Sequence, residues 1–129
     1  MSKYKVMVID DEPDIVKLVK ISLEMANFEV IEAFSGKECL VKVQSVVPDL
    51  FLLDIMMPEM NGYEVCQKLK LQDKTKNVPV VMLTAKGQKG DAEQGLKVGA
   101  DDYIIKPFDP YELGEQIREI LQQRAQKPA

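Results

Sequence analysis

Four short apolar runs in this chain each end in a residue able to do chemistry. Asp10 and Asp11 follow Val6-Met7-Val8-Ile9, and Asp54 follows Leu50-Phe51-Leu52-Leu53. Thr84 follows Val80-Val81-Met82-Leu83, and Lys106-Pro107 follows Tyr103-Ile104-Ile105. In an open parallel sheet, ligands bind just beyond the carboxyl ends of the strands. Carboxylates, a hydroxyl and an amine at four such ends therefore describe one cleft, suited to holding a divalent cation and handling a phosphoryl group. Magnesium takes oxygen ligands, commonly one or two carboxylates with waters and phosphate oxygens. A carboxylate beside a cation can also act as a nucleophile and carry an aspartyl phosphate.

Each of these residues has an ordinary reading as well. Asp11 or Glu12 can simply cap the helix that follows. Thr84 can satisfy backbone groups at a strand end. Lys106 can be a solvated surface charge, and an X-Pro bond such as Lys106-Pro107 is by default trans. The conjunction is harder to explain away. Three carboxylates at neighbouring strand ends repel and raise one another's pKa, a cost with no structural return unless a cation offsets it.

The elements that must position these residues alternate five times between strand-like and helix-like patterns. Lys5 to Ile9 is nearly all apolar, as expected of a strand covered on both faces. A helix over Asp14 to Ala26, with Pro13 in its first turn, shows an apolar face of Ile15, Leu18, Val19, Ser22 and Met25, and Asn27 ends it. Phe28 to Ala33 mixes apolar and acidic residues and reads as an edge strand. Ser35-Gly36-Lys37-Glu38 reads as a capping box opening a helix that runs to about Val46. The run Leu50 to Leu53 is the most apolar and is expected at the centre of the sheet. After Asp54, a loop marked by Pro58 and Asn61-Gly62 leads to a third helix over about Tyr63 to Leu71. Polar residues Gln72 to Asn77 then lead to the fourth strand. Beyond Thr84, a glycine- and lysine-rich loop over Ala85 to Gly90 precedes a fourth helix reaching about Val98, with Gly99 as its stop. A short edge strand and a last helix complete the chain. That helix is capped by Asp109 with Pro110 behind it, and it buries Leu113, Ile117, Ile120 and Leu121. Such alternation implies a parallel sheet with right-handed crossovers and helices on both faces.

At 129 residues, 46% hydrophobic and 29% charged, the chain has the composition of one ordinary globular domain. A net charge of -4 disfavours direct nucleic-acid binding by this domain, which needs a basic surface. There is no histidine, so a histidine metal site and a Ser-His triad are excluded. Cys39 and Cys66 are isolated and read as small buried hydrophobes rather than redox centres, and Met7, Met25, Met57 and Met82 read as core filler. No secretory signal and no membrane span is expected, and the cytosol is the expected compartment.

Taken in order, Asp10-Asp11-Glu12, Asp54 with Met57-Pro58 and Gly62, Thr84-Ala85, and Gly99-Ala100-Asp101-Asp102-Tyr103 leading into Lys106-Pro107-Phe108 resemble the receiver domain of two-component response regulators. The resemblance covers about Lys3 to Arg124, giving a receiver over residues 1–124 and a polar tail or linker stub over 125–129. It implies a flavodoxin-like, doubly wound, five-stranded parallel sheet of order 2-1-3-4-5. It implies that Asp54 accepts a phosphoryl group from a sensor histidine kinase or a phosphotransfer protein. Asp10, Asp11, Asp54 and the Met56 carbonyl would hold Mg2+, Lys106 would contact the phosphoryl group, and Lys106-Pro107 would be cis. Thr84 and Tyr103 would form a switch acting on the surface of the fourth helix, fifth strand and last helix. Implied partners are a downstream output domain or protein and a phosphorylation-dependent homodimer, with Asp101, Asp102, Glu115, Arg118 and Glu119 available for pairing. The protein would be a signalling switch, whose only chemistry is its own phosphorylation and slow dephosphorylation, rather than an enzyme.

Two other classes compete with this reading. A magnesium-dependent phosphatase using an aspartyl phosphate would want a second carboxylate two residues after the nucleophile, where this chain has Met56. A flavodoxin-type cofactor carrier would want a phosphate-cradling loop after the first strand, where Asp10-Asp11-Glu12-Pro13 would repel phosphate.

Overall fold

The computed structural model describes residues 3–85 and 98–126. The strands are β1 (Lys5–Ile9), β2 (Glu29–Ala33), β3 (Leu50–Asp54), β4 (Val80–Ala85) and β5 (Asp102–Lys106). They form one parallel sheet in the order β2-β1-β3-β4-β5, with β3 central and β2 and β5 at the edges. The described helices are α1 (Pro13–Met25), α2 (Gly36–Lys42), α3 (Gly62–Lys70) and a C-terminal helix (Leu113–Gln126). This is the flavodoxin-like α/β architecture expected. The lysine-rich loop and most of the fourth helix expected from the sequence fall on residues 86–97, outside the described residues.

Strand residues alternate between two cores, as the pleat requires. Val6, Val8, Leu50, Leu52, Val81, Leu83 and Ile104 face α1 and the C-terminal helix. Met7, Ile9, Phe51, Leu53, Val80 and Met82 face α2 and α3. With both faces covered, the inner strands are apolar throughout, whereas β2 keeps the exposed Glu29.

The helices depart from the sequence reading in instructive ways. α1 buries Val16, Val19, Ser22 and Leu23, while Leu18 is exposed and Met25 is 71% exposed. Of the apolar face expected through Ile15, Leu18, Val19, Ser22 and Met25, Val19 and Ser22 are buried and Ile15 is partly buried, whereas Leu18 and Met25 face outward. Val16 and Leu23 satisfy the same helical spacing, and the sheet selects them. Met7, Met57 and Met82 are core residues, but Met25 is not. α2 is shorter than expected, ending at Lys42 with Val43 as its C-cap. At its start Ser35 accepts from the Glu38 amide at 3.0 Å, but the Glu38 carboxylate reaches past Ser35 to the Phe34 amide at 2.7 Å. The reciprocal capping box lies instead at α3, where Asn61 and Glu64 cap each other's amides at 3.0 and 3.2 Å. Asp109 accepts from the Tyr111 amide at 2.8 Å, in a turn that precedes the C-terminal helix by one step. Asn27, expected to end α1, has a left-handed φ of 71°. Cys39 and Cys66 are buried, and burial pushes their thiols up to about 12 and about 11, leaving both inert at neutral pH.

A candidate phosphoryl-transfer site at the strand ends

Asp10, Asp54 and Lys106 continue the parity of Val8, Leu52 and Ile104, so all three emerge on the side of the sheet covered by α1 and the C-terminal helix. β1, β3 and β4 are neighbours and β5 lies beside β4, so one long lysine reaches across to both carboxylates. Lys106 Nζ lies 3.1 Å from Asp10 Oδ2 and 3.1 Å from Asp54 Oδ1. Asp10 is fully buried and Asp54 is 3% exposed. The same Asp54 oxygen also accepts from the Met56 amide at 3.4 Å, and Asp10 Oδ1 accepts from the Glu12 amide at 2.9 Å. Both carboxylates are therefore oriented by the chain that leaves their own strand.

Asp11, beyond the end of β1, is exposed and completes the set. One oxygen from each of Asp10, Asp11 and Asp54 lies within 4.8 Å of the others. Glu12 stands at the N-cap position of α1 but makes no side-chain cap, and Asp10 turns back to hold the amide of Glu12. The simple capping role considered for Asp11 or Glu12 is thus not what organises this turn.

The electrostatics are unbalanced. Burial first, then the charge of Asp10, pushes the Asp54 carboxyl up to about 6, and the Lys106 ammonium and Met56 amide only partly oppose them. For Lys106, burial works against the charge, but the hydrogen bonds and fields of the two carboxylates outweigh it and hold the ammonium above its usual range. A hard cation with oxygen ligands fits the three carboxylate oxygens gathered here.

Thr84 and Tyr103 lie on the other side of the sheet. Thr84 continues the parity of Val80 and Met82, and Tyr103 is half-buried against the core under α2 and α3. Thr84 is 8% exposed, one residue beyond Leu83, the register partner of Asp54. The strand alternation thus places both residues of the expected switch on one face. The Lys106-Pro107 peptide bond is cis, as the resemblance implied.

Asp101 is a residue whose place the sequence reading missed. Expected to be available for pairing between chains, it is engaged within its own. Its carboxylate accepts from the Val80 amide at 2.8 Å, Lys70 Nζ at 2.9 Å and Arg124 Nη1 at 2.9 Å. Arg118 likewise turns inward, donating to the Ala26 carbonyl and lying 4.8 Å above the Phe28 ring. Asp102 and Glu119 line a shallow hollow with Tyr103, Gln116 and Gln123.

Comparisons with known proteins bear on the same residues. The family model described as response regulator receiver domain matches residues 6–118. A protein named "Probable transcriptional regulator ycf27" from Porphyra purpurea is 45% identical over 125 residues, covering 97% of this chain and 50% of that protein. The "DNA-binding dual master transcriptional regulator RpaA" of Synechocystis is 42% identical over 124 residues, covering 96% of this chain and 52% of that protein. The chain therefore spans about half the length of the curated relatives it matches. Among solved structures, the chemotaxis protein CheY4 of Vibrio cholerae aligns with a TM-score of 0.88 at 32% identity, over 92% of this chain and 99% of that one. With regulators of transcription among the relatives, the expectation that this domain does not itself contact nucleic acid gains no support from them. No helix among the described residues is long and apolar enough to cross a membrane.

Proposed function

This chain belongs to the response regulator receiver domains, and we propose that it works as a magnesium-dependent phosphorylation switch with Asp54 as phosphoacceptor. The observation that carries the reading is the lysine held between two buried carboxylates, with a third carboxylate at the rim. Asp54 Oδ attacks the phosphorus of a phosphohistidine on a sensor kinase or phosphotransfer protein. The new O–P bond forms as the P–N bond breaks, and the imidazole leaves. Such transfer depends on positioning and on neutralising the equatorial oxygens more than on covalent assistance.

Lys106 supplies a fixed positive charge at the site. Asp10, Asp11, Asp54 and the Met56 carbonyl would hold Mg2+, which when bound neutralises phosphoryl charge. When phosphoryl oxygens arrive, Lys106 exchanges part of its pairing with Asp10 and Asp54 for them. The Thr84 hydroxyl turns to donate to the same group, and Tyr103 moves into the space behind it. The surface around β5 and the C-terminal helix is then read by an output domain or partner, in the cytoplasm, and phosphorylation-dependent pairing of two copies is one such readout. The domain occupies residues 1–124, with 125–129 as tail or linker.

Intact mass after incubation with acetyl phosphate tests this. Wild type gains one phosphoryl mass only when magnesium is present, and Asp54→Asn gains none. An equal gain in Asp54→Asn, mapped to the same residue that carries the label in wild type, contradicts it.

A further inference from the structure

The loop from Asp54 to α3 has to return to the strand it left. It does so at Gly62, the first residue of α3. The Gly62 amide donates to the Ile55 carbonyl at 2.9 Å and closes the loop. Its Cα lies directly on the backbone of the site. A Cβ there would sit 2.4 Å from the Asp54 carbonyl oxygen, 2.8 Å from Ile55 Cα and 3.0 Å from the Asp54 carbonyl carbon. All three are main-chain atoms, so no side chain can swing aside to make room. Any residue but glycine must push the end of β3 away from the helix.

That backbone carries the chemistry. The displaced peptide joins Asp54 to Ile55, and the next amide, that of Met56, is the one that donates to Asp54 Oδ1. The helix is itself pinned in place: Asn61 and Glu64 cap each other's amides at its N-terminus, and Val65, Cys66 and Leu69 are fully buried beneath it. The strand end is thus held against a fixed helix at van der Waals distance.

We propose that Gly62 is a positioning residue of the phosphorylation site: its missing Cβ lets the start of α3 clamp the Asp54–Met56 backbone in the geometry that presents the Asp54 carboxylate and the Met56 main chain. This rests on the reading of Asp54 as phosphoacceptor. A second tight glycine provides the contrast. A Cβ on Gly114 would lie 2.3 Å from Ala26 Cβ, where α1 meets the C-terminal helix, away from the strand-end cleft.

The test uses the full chain as wild type, Gly62→Ala, Asn61→Ala and Gly114→Ala. Magnesium chloride affinity is measured by titration calorimetry, and the rate of phosphorylation by acetyl phosphate is followed by intact mass. Gly62→Ala weakens magnesium binding by about tenfold or more and slows phosphorylation by about tenfold or more. Asn61→Ala, which loosens the same helix start without a clash, shifts both in the same direction by a few fold. Gly114→Ala loses thermal stability but keeps both quantities within about twofold of wild type. Wild-type affinity and rate in a folded Gly62→Ala overturn the proposal. Should that variant fail to fold, wild-type values in Asn61→Ala overturn it equally. A wild type that neither binds magnesium nor takes up a phosphoryl group overturns the reading of the site, and this inference with it.

Discussion

Two charged clusters sit at opposite ends of the sheet, and they are built to opposite rules. At the carboxyl ends, one lysine serves two buried carboxylates, with a third at the rim. At the amino end of β4, one carboxylate serves two cations and a backbone amide: Asp101 holds Lys70, Arg124 and Val80 N–H. Lys70 also donates to the Val78 carbonyl at 3.0 Å, and Arg124 to the Asn77 carbonyl at 2.9 Å, so the second cluster ties down its neighbours as well. The Asp101 cluster is satisfied from within. The Asp54 cluster sets three carboxylates against one ammonium, and burial first, then the charge of Asp10, pushes the Asp54 carboxyl up to about 6. Opposite charges in a closed network contribute to the fold. Like charges crowded in a cleft cost stability, and the shortfall marks the place where something from outside belongs.

The contrast is sharpest on removing the acid at each end. Asp101→Ala strands the Val80 amide and takes from Lys70 and Arg124 their carboxylate partner, leaving them their carbonyl contacts, so it lowers stability by about 3 kcal/mol. Denaturant melts give the same loss in EDTA and in magnesium, because this cluster has no part in cation binding. An Asp101→Ala protein as stable as wild type would erase the distinction between the two clusters.

The next effect is a pH dependence confined to the strand-end cluster. The folded pKa of Asp54, about 6, lies above the ordinary aspartate value near 4 of the unfolded chain. The folded state therefore binds the proton more tightly. The stability from this group is complete below about pH 4 and is lost as pH rises through about 6, on the order of 2–3 kcal/mol without metal. Asp54→Asn lacks this component, so the stability gap between wild type and mutant in EDTA changes across that window. A constant gap from pH 4 to 7 would mean that Asp54 titrates normally.

Smaller effects concern what happens after phosphorylation. Met56, 65% exposed at the mouth of the cleft, offers a hydrolytic water no good hydrogen-bond partner. Lys86, two residues after Thr84, likewise has no acceptor for that water, so Met56→Asn together with Lys86→Glu shortens the phosphoprotein lifetime by a few fold, about 1 kcal/mol in the barrier. An unchanged decay by intact mass would count against that account. Thr84→Ala leaves Asp54 phosphorylatable but weakens the phosphorylation-dependent NMR shifts around Tyr103 and the C-terminal helix. Identical shifts in wild type and mutant would remove Thr84 from the switch.

The strands and the cleft were legible because their signals are dense, whereas the sheet order 2-1-3-4-5 came from the family resemblance. Apolar runs such as Leu50 to Leu53 carry strand identity in every residue, and polar residues at four successive run ends point to one place. Asp10, Asp54, Thr84 and Lys106 could be picked out for that reason. Helix faces were less legible. In α1, Leu18 and Met25 fit helical spacing as well as Val16 and Leu23 do, and only packing against the sheet separates them. The role of Asp101 was invisible for a related reason. Its partners Lys70 and Arg124 are 31 and 23 residues away in sequence, and no local pattern links them. Gly62 was visible as a turn glycine, but its contact with the Asp54 backbone depends on where α3 docks.

The central claim is that the strand-end carboxylates are crowded for the sake of a cation and a phosphoryl group, and thermal melts of wild type and Asp54→Ala in EDTA and in magnesium test it most directly. Removing Asp54 relieves repulsion with Asp10 and leaves Lys106 paired to Asp10 alone, so the mutant melts higher than wild type in EDTA. Magnesium at about a hundredfold excess over its dissociation constant stabilises the wild type by about 2.7 kcal/mol and the mutant by much less. A mutant that melts lower than wild type in EDTA, and still responds fully to magnesium, would contradict the account.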